Sequence, residues 1–126
     1  MQDLTPDQVT ELTKSYSQFL HDYVRGSGEP IHPLDFQDAD GDRLLHAAAL
    51  RGDLQSVEWL LDAGENINAV GDMGLTPAHY AAGGLHKEVF DLLIRRGADL
   101  TIVDEFGNTA PERWSFFEQI RASKTK

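Results

Sequence analysis

The chain has 126 residues, 40% of them hydrophobic, a formal net charge of -10 and no cysteine. One folded domain over residues 1–126 suits this apolar content, and a disordered chain does not. Disulfide scaffolds, cysteine metal sites and thiol nucleophiles are excluded.

The charge is uneven: ten acids and two arginines lie between Glu29 and Asp72, a local balance of -8. Such a surface repels nucleic-acid phosphates, whose binding needs lysine and arginine. It suits a basic protein surface, or it simply keeps the chain soluble. No apolar run approaches a membrane span. The N-terminal stretch MQDLTPDQVTELTK lacks the basic and apolar regions of a signal peptide. The expectation is a soluble cytoplasmic protein, monomeric when unbound, with neither a membrane nor a nucleic-acid partner.

The first predicted element is a helix over residues 5–25. Thr5 can cap it, Pro6 suits its first position and Gln8 stands in the capping-box place. Val9, Leu12, Tyr16, Phe19, Leu20 and Tyr23 recur at helical spacing. Gly26, Gly28 and Pro30 break it, and IHPLDFQDAD leads into a turn.

Gly41, Gly74 and Gly107 then fall 33 residues apart. The segments after the first two, GDRLLHAAALRGDLQSVEWLLDAGENINAV and GLTPAHYAAGGLHKEVFDLLIRRGADLTIV, match over their whole length. This predicts repeated units over 35–70 and 71–103 and a shorter third over 104–120, stacked as a solenoid. In the second unit Thr76 and Pro77 start one helix. Val89, Leu92 and Leu93 line another, and Gly97 can end it in a left-handed conformation. Val57, Leu60, Leu61 and Gly64 do the same one unit earlier. His46 and His79 share one position in this frame. From residue type alone each could be a base, a metal ligand or a piece of architecture.

The motifs GLTPAHYAA, DLLIRRGAD and TIVDEFGNT, together with the period, resemble the ankyrin repeat over roughly Asp35 to Ile120. The resemblance implies an all-α solenoid with short turn and hairpin connections, here with an N-terminal capping helix. It also implies that His46 and His79 are structural, bonding to nearby backbone in their turns. The chain departs from the pattern in places. Arg43-Leu44 replaces Thr-Pro, Glu112 stands in the third histidine position, and Leu85 stands where glycine is usual, which predicts an altered turn there. Trp114, Phe116 and Phe117 are expected to close the C-terminal side.

Chemistry finds little support. Asp38, Asp40, Gly41 and Asp42 lack the twelve-residue spacing and final glutamate of a calcium loop. There is no phosphate loop and no activated serine. No catalytic residue, cofactor or metal is therefore expected. The ankyrin frame instead places a concave protein-binding surface on the turn tips and the ends of the first helices. Carried over position by position, that surface comprises Asp38, Asp40, Asp42, Asp72, Met73, Leu75, Glu105 and Phe106, with Leu50 and Arg51 at the helix end. The expected function is a non-catalytic interaction module for a protein partner, a basic one on the charge argument. An inhibitor or immunity protein of a basic toxin is one concrete form. A regulatory or assembly subunit is the alternative, and an enzyme the third class.

Overall fold

The 33-residue period becomes a stack of helix pairs joined by hairpin turns. The computed structural model describes residues 3–20 and 31–124. Its α-helices are α1 (Pro6–Ser15), α2 (Ser17–Leu20), α3 (Leu44–Arg51), α4 (Leu54–Asp62), α5 (Pro77–Gly83), α6 (Lys87–Arg95) and α7 (Ala110–Lys124). Inner helices α3, α5 and α7 stack on one another, while α4 and α6 form the outer layer. Among the described residues the β-pairing is one antiparallel bridge, Gln37 to Arg43. Alanines 48, 49, 81 and 82 are fully buried, so the inner helices approach closely. Leu45, Val57, Leu60, Val89 and Leu93 fill the space between the layers.

The caps follow from local chemistry. At α1, Thr5 and Gln8 exchange bonds, Gln8 N–H to Thr5 Oγ1 at 3.2 Å and Thr5 N–H to Gln8 Oε1 at 2.9 Å. Gly64 and Gly97 end the outer helices at φ 97° and 91°.

Three expectations change. The N-terminal helix is not continuous, because it breaks at Tyr16 (φ -113°, ψ 26°). The N–H of Phe19 bonds to Tyr16 O at 3.0 Å. The Ser15 carbonyl instead accepts from Arg51 Nη1 at 2.7 Å. The predicted residues 21–25 lie outside the described set. Leu85 does not alter its turn. It adopts φ 53° where the corresponding Gly52 has 73°, and the two closing bonds recur: Gly52 N–H to Ala49 O and Asp53 N–H to Ala48 O after α3, Leu85 N–H to Ala82 O and His86 N–H to Ala81 O after α5. A left-handed leucine costs about 1–2 kcal/mol, which the packed helices on either side offset. Finally, Trp114 covers α6, its ring stacked on Phe90 at 4.9 Å, but Phe116 remains 57% exposed.

Candidate protein-binding face

Each turn tip closes by the same pair of backbone bonds. Asp38, Gly71 and Asp104 N–H donate to the carbonyls of Asp42, Leu75 and Asn108, each at 2.9 Å. Gly41, Gly74 and Gly107 N–H return to Asp38, Gly71 and Asp104 O. In the outer two tips the first residue is an aspartate that braces its own loop. Asp38 Oδ1 accepts from Asp40 and Asp42 N–H at 2.9 Å. Asp104 Oδ1 accepts from Phe106 and Asn108 N–H at 2.9 and 3.1 Å.

The middle tip has Gly71 in that place, and a carboxylate arrives from the neighbouring unit instead. A Cβ on Gly71 would stand 2.0 Å from Asp42 Oδ1. That oxygen accepts Asp72 N–H at 3.0 Å, and Tyr80 O–H donates to the same carboxylate. The next junction is made by backbone, Glu105 N–H to Met73 O at 3.0 Å. Met73 is left-handed there, at φ 54°.

The two histidines lock successive units together. His46 Nδ1 accepts Arg43 N–H at 2.9 Å, and its Nε2–H donates to Ala69 O at 2.8 Å, in the following hairpin. His79 Nδ1 accepts from Thr76 N–H at 3.1 Å and Nε2–H donates to Asn108 O at 2.9 Å. Both rings are buried. Burial holds the His46 pKa below its usual value, against the opposing pull of the Ala69 carbonyl and of Asp42 and Asp38. A neutral ring with its proton on Nε2 is what this geometry requires. Glu112 performs only the backward half, accepting from Thr109 N–H and O–H at 3.1 and 3.0 Å.

On this scaffold Asp40, Leu50, Arg51, Met73, Glu105 and Phe106 are exposed, whereas Asp38, Asp42, Asp72 and Leu75 are half-buried. Phe106 is 65% exposed, with the Arg113 guanidinium 5.5 Å from its ring centre. Arg51 is turned toward the N-terminal helices, its guanidinium 4.2 Å from the Tyr16 ring. Asp104 is buried beneath the tip row and bonded by Arg113. Burial alone would raise its pKa, but bonds from Arg113 and from the Asn108 and Phe106 N–H groups pull it below the usual range. The sequence reading missed Val70 and Val103, each exposed at one shared position of consecutive units. Their 33-residue spacing was the available signal. It also missed Tyr80, whose raised pKa reflects burial and the Asp42 carboxylate.

Among the described residues no three histidine, cysteine, aspartate or glutamate side chains converge as metal ligands, and no helix is long and apolar enough to cross a membrane.

A family model described as ankyrin repeats, three copies, matches residues 13–104. The chain is 31% identical over 115 residues to the nuclear factor NF-kappa-B p105 subunit of Rattus norvegicus, covering 82% of this chain and 12% of that protein. It is 37% identical over 87 residues to ankyrin repeat and SOCS box protein 1 of Mus musculus (63% and 25%). It is 36% identical over 74 residues to the E3 ubiquitin-protein ligase XBAT32 of Arabidopsis thaliana (57% and 14%). The chain thus spans a quarter or less of the length of each of these relatives.

Proposed function

Since the chain belongs to the ankyrin-repeat family, we propose that it is a non-catalytic module that binds a protein partner on its turn-tip face. The carrying observation is the row of Met73 and Phe106, exposed on adjacent tips and flanked by exposed Asp40 and Glu105. An apolar centre with a charged rim is common interface anatomy. The -8 stretch from Glu29 to Asp72 favours a basic partner, and an inhibitor or immunity protein of a basic toxin fits that chemistry.

A second reading, a regulatory or assembly subunit, is favoured by the relatives. Their ankyrin-like stretches belong to much longer proteins, one of them named as a subunit. Co-purification from native cells separates the outcomes, with the parent chain and a Met73→Ala/Phe106→Ala variant as baits. A protein enriched by the parent and lost with the variant supports the tip face. Its identity, toxin or complex component, decides between the two forms. Equal capture by both baits contradicts the reading.

A further inference from the structure

A small groove opens on the first unit beside the tip row. Phe19, Ala47, Leu50 and Tyr80 line it, together with the carboxylates of Asp38 and Asp42. We propose that this groove receives one arginine side chain of the protein partner. The inference rests on the reading of this face as the partner-binding surface, and it assigns the chemistry of one contact.

Size comes first. The cavity is about 70 Å³, far below the several hundred Å³ of a small-molecule site, and of the scale of a single side chain. Its apolar walls suit an alkyl stem, and the carboxylates suit a cation at the stem's end. Phe19 and Leu50 are 38% and 48% exposed, so the walls are open to an incoming group.

The charge balance agrees. Asp38 Oδ1 is engaged by its own loop, while Oδ2 has no hydrogen-bond partner among the described residues. Asp42 accepts from Tyr80 and Asp72, which leaves lone pairs available on a carboxylate. Arg43 lines the groove as an opposing charge, and Arg51 lies 5.7 Å from the Phe19 ring. Asp38, Asp40, Asp42 and Asp72 outnumber these two. Arg51 also shows that the Phe19 ring accepts a guanidinium beside it. Arginine fits better than lysine because its flat cation stacks on aromatic rings and carries five N–H donors for the free oxygens of the two carboxylates.

The probe is Nα-acetyl-arginine amide, titrated into the isotope-labelled full chain and followed by backbone amide NMR shifts. The neutral citrulline analogue is the control. The expected result is saturable shifts centred on Asp38, Asp42, Ala47, Leu50 and Tyr80, absent with citrulline. Asp38→Asn should weaken the titration midpoint by about threefold. Ala47→Tyr fills the groove and should abolish the local shifts. The corresponding position of the next unit holds a tyrosine, Tyr80. Leu50→Ala, at an exposed residue, gives the same comparison if the tyrosine variant does not fold. No saturable shift, or shifts spread over all surface carboxylates and unchanged in the variants, overturns the proposal. The two levels separate with a captured partner. Affinity lost in Phe106→Ala but kept in Leu50→Ala overturns the groove alone, and affinity kept in both overturns the face as well.

Discussion

The Tyr80 hydroxyl donates to the Asp42 carboxylate across a unit boundary, at 2.8 Å to Oδ2 and 3.0 Å to Oδ1. It ties inner helix α5 to the tip of the preceding unit, and the same carboxylate holds the backbone of the next tip through Asp72 N–H. Tyr80→Phe keeps the ring and its edge contact with His46 but removes the donor. Stability in urea should fall by about 1–2 kcal/mol. An unchanged unfolding midpoint would mean that water replaces the phenol without loss.

His79 serves two units and Glu112 one. His79→Ala removes the acceptor for Thr76 N–H and the donor to Asn108 O. It should cost about 1–3 kcal/mol. Glu112→Ala removes only the local cap and should cost about 1 kcal/mol or less. Parallel denaturant melts of the two variants check the ranking, and a reversal would contradict the linking role of the histidine.

The repeat frame and the caps were legible because they rest on local rules. Thr5 with Gln8, and Thr76 with Pro77, announce helix starts within four residues, and the glycine spacing announces the stack. The ties between units were not legible. Tyr80 and Asp42 are 38 residues apart, and Arg51 and Ser15 are 36 apart. Whether such side chains meet depends on how one unit rotates on the next, which a period does not encode. Gly71 is the clearest case. In the sequence it is another turn glycine, while in the fold its missing side chain is the space that Asp42 fills. The same blindness affected the candidate face. The frame put Asp40 and Asp42 in the tips together, but only the structure separates an exposed acid from one engaged in holding two units together.

Glu65 occupies the position of Ala98 in the next unit, and its Oε1 is buried with no hydrogen-bond partner among the described residues. Burial raises its pKa above the ordinary 4.5, with Arg43 opposing and Asp35 adding. A raised carboxylate binds its proton more tightly when folded. It therefore weakens the fold at neutral pH and is relieved as pH falls through its folded pKa. Glu65→Ala should raise stability by about 1 kcal/mol at neutral pH. That gain should shrink as pH falls through the folded pKa and be gone below 4.5. Urea melts at several pH values measure this, and a gain independent of pH would assign the effect to packing rather than to the buried charge.

The most direct measurement of the central claim is the affinity of Phe106→Ala for the captured partner, taken beside its thermal melt. Phe106 is 65% exposed, so the fold should lose little. An aromatic anchor at the centre of an interface contributes about 2 kcal/mol or more. The account predicts binding weakened by that amount with a melting curve close to the parent. A lowered melting curve, with unchanged affinity in the folded fraction, would make Phe106 a structural residue and contradict the assignment of the tip face as the binding surface.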